Sequence, residues 1–234
     1  RKWEDTLFKT VDGGKSWEKI GFESSSLYSL AIDYNDNNII YIVARYQIFS
    51  SMDGGRSWEI IKSSDRGASF SKVVVDPNDG RNIYVLADAG LYISNDRGET
   101  WQYAISGIEP ISIAIAPSDS ASVYVGTRYN GVLVKNIFTI GEVSATFEVW
   151  AQPGPVVKLP WGVSNEGLTS PFVMDLAVDR ENAHIVWAGT AIGLFRSEDG
   201  AKTWRCVGLC DKTIYSLAIS PTVTIYAATS RGIY

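Results

Sequence analysis

The residues in this chain best equipped for chemistry are carboxylates, and four of them share one setting. Asp12, Asp53, Asp96 and Asp199 each stand inside a repeated phrase: Thr10-Val-Asp12-Gly-Gly14-Lys-Ser16-Trp17, Ser51-Met-Asp53-Gly-Gly55-Arg-Ser57-Trp58, Ser94-Asn-Asp96-Arg-Gly98-Glu-Thr100-Trp101 and Ser197-Glu-Asp199-Gly-Ala201-Lys-Thr203-Trp204. An Asp in such company accepts hydrogen bonds from the backbone N–H groups of a tight turn, while Gly supplies the positive φ. The flanking hydroxyls can bond back across the loop. The closing Trp is expected to bury roughly 150–250 Å² and so to staple the hairpin to the body of the protein. As calcium ligands these aspartates lack the further oxygen donors of a calcium loop, and no metal site is expected of them.

Other candidates are scattered. Asp88 stands alone in a short loop and is the best acid for a two-carboxylate hydrolase, with Asp65 or Glu166 as its partner. Such a pair must lie roughly 5–10 Å apart across the scissile bond. Arg45, Tyr46, Arg128, Tyr129, Trp161 and Arg231 form a possible ligand-binding set. Arg presents a planar fork to carboxylate or phosphate, and aromatic faces suit sugar rings. The competing reading of the same residues is an ordinary solvated rim. His184 is the only histidine, which leaves little for nucleophilic catalysis or a zinc site. Cys206 and Cys210 either close a small loop in an oxidising compartment or remain two thiols.

These residues must be positioned by a larger repeat. The Trp anchors recur about every 40 residues, with one interval long enough for two repeats, a period that indicates a propeller or array. Each unit opens on an alternating strand that ends near Asp or Pro, as in Ser29–Asp33, Lys72–Pro77, Ser112–Pro117, Asp175–Asp179 and Ser216–Pro221. A polar turn follows, then a second strand such as Ile40–Val43, Ile83–Leu86, Val123–Gly126, Val186–Gly189 or Ile225–Ala228. A short loop leads to a third strand, the Asp phrase and a fourth strand after the Trp. Four antiparallel strands per repeat make a propeller blade.

The phrase Ser/Thr-x-Asp-x-Gly-x-Ser/Thr-Trp resembles the Asp-box, or BNR repeat, of the superfamily that holds sialidase-like, sortilin-like and photosystem-assembly-factor-like propellers. Only the last copy departs from it, with Ala201 in place of Gly. The resemblance implies an all-β fold, a β-propeller of four-stranded antiparallel blades with Asp-box hairpins. About five blades are expected, either as a closed ring or as part of a larger one. As one domain over 1–234, the blades fall at about 27–61, 70–104, 111–151 and 172–207, with a seam blade joining 1–20 to 214–234. The third repeat shows no box; Asn136–Glu148 reads as an excursion before Val149-Trp150, and a Pro- and Gly-rich loop runs from Gln152 to Pro171. Long loops of this kind often carry function. The chain opens on Arg1, which reads as processed or cut from something larger.

Blade geometry puts the boxes on one face and the second-to-third loops on the other. The resemblance implies that this second face, fed also by blade-to-blade loops carrying Lys158, Trp161, Glu166 and Asp211, holds the ligand site. The reading adopted is a non-catalytic binding or assembly module for a glycan, peptide or protein partner, in an extracytoplasmic or secreted setting and without a cofactor. The alternative is a glycoside hydrolase resembling the xyloglucan-degrading propeller enzymes, whole or as a fragment. True sialidases carry an Arg-Ile-Pro-type motif ahead of their boxes, and this chain has none there. A net charge of −5 disfavours a nucleic-acid partner. No apolar run approaches the roughly 20 residues of a membrane span.

Overall fold

The computed structural model describes residues 5–24, 26–65, 67–88, 90–135, 161–220 and 224–234. Twenty-one strands are seen among them, and the architecture is all-β, of the β-propeller type. β1 (Asp5–Lys9) and β2 (Glu18–Ser24) form a two-stranded sheet. Four sheets of four antiparallel strands follow. They are β3 (Leu27–Ile32), β4 (Ile40–Ala44), β5 (Gln47–Ser51) and β6 (Glu59–Ser63); then β7 (Phe70–Val75), β8 (Ile83–Ala87), β9 (Gly90–Ser94) and β10 (Gln102–Ser106). Next come β11 (Pro110–Ala116), β12 (Asp119–Thr127), β13 (Val132–Lys135) and β14 (Trp161–Val163); then β15 (Val173–Val178), β16 (Val186–Thr190), β17 (Gly193–Ser197) and β18 (Arg205–Gly208). A three-stranded sheet of β19 (Ile214–Ile219), β20 (Ile225–Thr229) and β21 (Gly232–Ile233) ends the chain. Two compact units are distinguished, Arg1–Tyr103 and Ala104–Tyr234. The Asn136–Glu148 excursion, Val149-Trp150, Lys158 and residues 152–160 of the Pro- and Gly-rich loop lie outside the described residues. The fourth strand of the third full sheet is β14.

The second strand of each repeat explains why the sheets stack. β4 and β8 are buried at every residue, on both faces. Within the first unit, Tyr41, Val43 and Ile48 pack against Phe70, Val73, Val85 and Tyr92 in one cluster between sheets. Within the second, Tyr124, Val132 and Val134 meet Val173, Leu176, Ala188 and Phe195 in the same way. The Tyr124 hydroxyl donates to the Ala183 carbonyl of the next sheet at 2.9 Å, which satisfies the one polar atom the ring carries inside. The first-to-second turn has its own lock. Asp33 and Asp76 are fully buried and accept from the backbone N–H two residues on, Asn35 at 2.8 Å and Asn78 at 2.9 Å. Asp179 does the same for Glu181 at 2.9 Å and Asn182 at 3.0 Å. These are Asx-turns, and they are why the first strand of those repeats ends at Asp.

The boxes form the expected hairpins. In the second copy, Asp53 Oδ1 accepts from the Arg56 and Ser57 amides, each at 2.9 Å, and Oδ2 accepts from the Ser57 hydroxyl at 2.6 Å. Ser51 Oγ donates to Asp53 at 2.8 Å and accepts from the Gly55 amide at 2.8 Å. The two central residues of every box are left-handed: φ is 74° and 90° at Gly54 and Gly55, 61° and 93° at Arg97 and Gly98, and 74° and 69° at Gly200 and Ala201. The box thus tolerates Arg97 at one of these positions and Ala201 at the other, and Ala201 keeps the Ser197 hydrogen bond at 2.9 Å.

Burial of the box tryptophans is graded, which corrects the expectation of four equal anchors. Trp204 is 5% exposed and its indole N–H donates to the Ser164 carbonyl at 2.8 Å. Trp58 and Trp101 are half-buried and bond within their own turns, to Gly55 and Gly98. Trp58 also packs on Phe22, ring centroids 4.9 Å apart. Trp17 is 61% exposed. A box Trp is therefore an anchor in proportion to the outer strand it finds to lie on. Trp204→Ala is expected to cost about 3–5 kcal/mol and Trp17→Ala less than about 1 kcal/mol, read as shifts of the denaturant midpoint.

Acid should reach the same turns. The Ser16 and Thr100 hydroxyls, backed by their own amides, hold the Asp12 and Asp96 carboxyls at about 2, against an ordinary value of 3.8. Asp53 is shifted the same way by Ser57. At Asp199 burial opposes the charge, yet hydrogen bonds from Thr203 and Ser197 outweigh it and bring the value to about 2. All four values lie below those of the unfolded chain, so the ionised turn stabilises the fold fully above about pH 4. That stabilisation is lost as pH falls from about 4 towards about 2. A melting series across this window should show the loss, and Asp199→Asn should flatten it.

Candidate functional site

The short loops that face away from the boxes gather most of the candidate residues. In the first unit, the β4–β5 loop carries Arg45 and Tyr46, both exposed, with the guanidinium 5.4 Å from the centre of the Tyr46 ring. Their carbonyls are fixed by the Phe70 and Ser64 amides, each at 2.8 Å, so the loop is held while its side chains stay free to contact a ligand. Asp65 accepts from the Tyr92 hydroxyl at 3.3 Å and lies 3.6 Å from the Lys62 ammonium. Burial works against its charge, but its own backbone N–H, Lys62 and Tyr92 together hold the carboxyl below the ordinary range. A carboxyl held down in this way is ionised at neutral pH and is unsuited to donate a proton. Asp88 is exposed in the β8–β9 loop, its amide bonded to the Ser69 carbonyl at 3.0 Å. Among the described residues its carboxylate has no hydrogen bond or ion pair, to Asp65 or otherwise; Arg66 and Ala89 lie outside the described residues.

The second unit builds a denser arrangement. Arg128, at the start of the β12–β13 loop, donates from Nε to Glu109 at 2.6 Å, with the two side chains 44% and 49% exposed. Its guanidinium also lies 5.4 Å from the Phe172 ring centre. The Arg128 amide bonds the Glu109 carbonyl at 2.9 Å, and Thr127 Oγ1 caps the loop at Gly131, also at 2.9 Å. Tyr129, two-thirds exposed, projects from the same loop. Asn165 clamps the loop from outside, donating to the Asn130 carbonyl at 2.8 Å and accepting from the Val132 amide at 2.9 Å. In the β20–β21 loop, Arg231 is 3.7 Å from Asp211, which also accepts from Lys212 at 2.9 Å. Lys212, first, and then Arg231 hold the Asp211 carboxyl below its ordinary value.

Two candidates are placed otherwise than the sequence implied. Trp161 opens β14, paired with Lys135, instead of lying in a blade-to-blade loop; it is half-buried and its indole N–H is enclosed. Glu166 sits beside the fourth box, bridged to Thr203, with its carbonyl accepting from the Trp204 amide at 2.7 Å. His184 is likewise next to that box, its carbonyl accepting from the Gly200 amide at 2.9 Å. Cys206 and Cys210 are joined in a disulfide, which resolves the two alternatives. Phe172 beneath Arg128 and Tyr234, whose ring centre is 5.3 Å from Lys212 Nζ, belong to the site although no motif marked them. Among the described residues, no three His, Cys, Asp or Glu side chains gather to hold a metal ion. What the arrangement can do is bind: paired and stacked guanidiniums beside exposed Tyr rings offer carboxylate recognition with an apolar edge.

Because Arg128 and Glu109 are both open to solvent, their pair contributes little to stability. Glu109→Gln is expected to leave the unfolding free energy within about 0.5 kcal/mol of the parent protein, as checked by denaturant titration.

A family model described as "Photosynthesis system II assembly factor YCF48" matches residues 3–135, more than half of the chain. No curated protein matches the chain. Among solved structures, YCF48 from Cyanidioschyzon merolae is similar at 17% identity and a TM-score of 0.70, covering 97% of this chain and 75% of that one. The GH74 xyloglucanase from Xanthomonas campestris aligns over 100% of this chain at 18% identity and a TM-score of 0.74. A GH74 enzyme from Niastella koreensis aligns over 98% at 17% identity and 0.73. The chain spans only 41% and 40% of the length of these two enzymes. At such identities the likeness is one of fold.

Proposed function

Because the chain belongs to the photosynthesis system II assembly factor YCF48 family, we propose that it is a non-catalytic binding module that holds a protein or peptide partner during assembly of a photosystem. The observation that carries this reading is that each unit, taken by itself, holds a guarded arginine in the loops opposite its boxes. Arg128 rests between Glu109 and Phe172, and Arg231 faces Asp211. Arg45 lies over Tyr46. Each guanidinium is open to an incoming carboxylate, and each has an aromatic ring or a replaceable acid beside it. A peptide carrying acidic side chains or a free C-terminus suits the loops of either unit, with Tyr46 in the first or Tyr129 in the second packing on its apolar residues. The Cys206–Cys210 disulfide supports an extracytoplasmic compartment, since such bonds persist where thiols are not kept reduced.

The hydrolase reading rests on one observation, the exposed Asp88 carboxylate in a loop opposite the boxes, together with the fold likeness to xyloglucanases. It needs a second carboxylate across a cleft; Glu166 lies beside a box, and Asp65, held ionised by Lys62 and Tyr92, fits the base of such a pair and not its acid. A glycan partner has the exposed tyrosines in its favour and remains the secondary binding proposal.

The test offers the protein a set of immobilised peptides from photosystem II subunits and, separately, xyloglucan oligosaccharides. Peptide capture is expected to weaken about fivefold or more in Arg128→Ala and in Arg231→Ala, and to fall with added salt. No sugar fragments are expected. Peptide binding indifferent to both arginines would sink the proposal, and xyloglucan cleavage abolished by Asp88→Asn would replace it with the hydrolase.

A further inference from the structure

We infer that the Cys206–Cys210 disulfide is a redox-sensitive clasp on the Arg231 side of the proposed binding face. This inference rests on the binding reading for its purpose, while its structural content stands on the loop itself. The bond joins β18 to the segment that crosses to β19, and both cysteines are exposed. Inside the small ring it closes, Leu209 takes φ 55°, a left-handed conformation unfavourable for a branched residue. The Leu209 carbonyl accepts from the Lys212 amide at 2.9 Å. Gly193, at the tip of the β16–β17 hairpin, lies so close that a Cβ there would stand 2.8 Å from Cys210 Cα and 3.4 Å from Cys206 Sγ. The hairpin tip is therefore seated on the disulfide ring itself.

The short segment between the ring and β19 ties neighbouring loops together. Asp211 pairs with Lys212 and Arg231. Lys212 is tucked in, its side chain only 15% exposed, with Nζ over the Tyr234 ring. Thr213 Oγ1 donates to the Ala191 carbonyl at 3.0 Å, and the Thr213 carbonyl accepts from the Ser230 amide at 3.0 Å. The β16–β17 loop with Ile192 and the β20–β21 loop with Arg231 both hang on a segment whose left-handed start is imposed by the crosslink. Removing the crosslink leaves Leu209 free to leave φ > 0, and Asp211 then loses its fixed place beside Arg231.

The opening step is ordinary thiol–disulfide exchange with a dithiol reductant. A thiolate of the dithiol attacks one exposed sulfur, forming a mixed disulfide and expelling the other cysteine as thiolate. The second thiol of the reductant then closes on the first. Two electrons and two protons pass to Cys206 and Cys210, and the reductant leaves as a disulfide.

The experiment compares amide hydrogen exchange in the oxidised protein, in the protein reduced with dithiothreitol, and in the double variant Cys206→Ser with Cys210→Ser. Exchange at the Lys212 and Ser230 amides is expected to rise about tenfold or more in the reduced and double-variant forms, with the buried strand β8 unchanged. Tryptic cleavage after Lys212 should accelerate in parallel. Unchanged exchange at Lys212 and Ser230 overturns the clasp, and so does a rise spread equally over β8, which would mark a general structural crosslink. Peptide capture is scored beside it: its absence in every redox state defeats the binding reading and leaves the exchange result standing.

Discussion

Close stacking of one four-stranded sheet on the next is the constraint on which the other features depend. A sheet whose second strand is apolar on both faces, as β4 and β8 are, cannot face water on either side. Each must be covered by a neighbour, and the fit leaves little slack. In the first unit a Cβ at Gly80 would stand only 1.9 Å from the Asp33 carboxylate of the preceding sheet. Asp33 is fully buried there and its nearest cation, Arg97, is 3.9 Å away. An acid that close to a neighbouring backbone is tolerable only because one of its oxygens already serves the Asx-turn. Inner strands are latched as well: the Val73 amide donates to Ser29 Oγ at 3.2 Å, and the Leu217 amide to Asp175 at 2.8 Å. Side chains thus accept the N–H groups that inner strands have no partner strand to satisfy.

The Asp-box is what lets that stacking recur. Joining the third and fourth strands takes a turn with two successive left-handed residues, and such residues cost about 1 kcal/mol or more each when they are not glycine. The box carboxylate offsets this by accepting from two hydroxyls and from the backbone amide at the second Ser or Thr, and the upstream Ser or Thr accepts a further amide. Arg97 and Ala201 show the margin: with the hydrogen bonds intact, a side chain is accepted at a left-handed position. The turn then leans on the preceding outer strand. Gly98 lies against Ile61, and Gly55 against Ile20. Structure, rather than catalysis, therefore accounts for all four box aspartates.

How much of this was legible in the sequence depends on the distance over which each interaction acts. The strand order, the boxes and the buried second strands are local patterns, with a period of two residues inside strands and about 40 between them, and they are found where the pattern puts them. Burial of Asp33 and Asp76 was not legible, because a polar turn reads the same whether or not a neighbouring sheet closes over it. The box tryptophans looked alike as letters and differ in burial because each depends on a different outer strand. Trp161 reads as loop in the sequence because the strand it opens is three residues long and has no box ahead of it. Phe172 and Tyr234 escaped notice because their partners, Arg128 and Lys212, are brought to them by the fold from 44 and 22 residues away. Two cysteines four apart are compatible with a bond or with two thiols, and spacing alone does not choose between them.

With the interior committed to stacking and one end of each hairpin to boxes, the opposite loops are where charged side chains such as Arg128 and Arg231 stay exposed. Arg128 is held by a single exposed acid and a ring; an exposed pair of this kind is worth about 1 kcal/mol at most. A ligand carboxylate can replace Glu109 at small cost, because the guanidinium keeps its stacking on Phe172 and exchanges one anion for another. A neutral ligand would instead have to leave Arg128 with Glu109 and bind around them. A phosphate or carboxylate arriving without apolar groups would gain the exchange and nothing more. The combination that gains from both features carries an acid together with apolar groups able to lie on Tyr129. A hydrolase would make the reverse demand. It requires one carboxyl protonated and its partner ionised, and Asp65 and Asp211, both held ionised by the cations beside them, fit only the second of these roles. Arg128, Asp65 and Asp211 are thus ionised groups that each already sit beside an opposite charge.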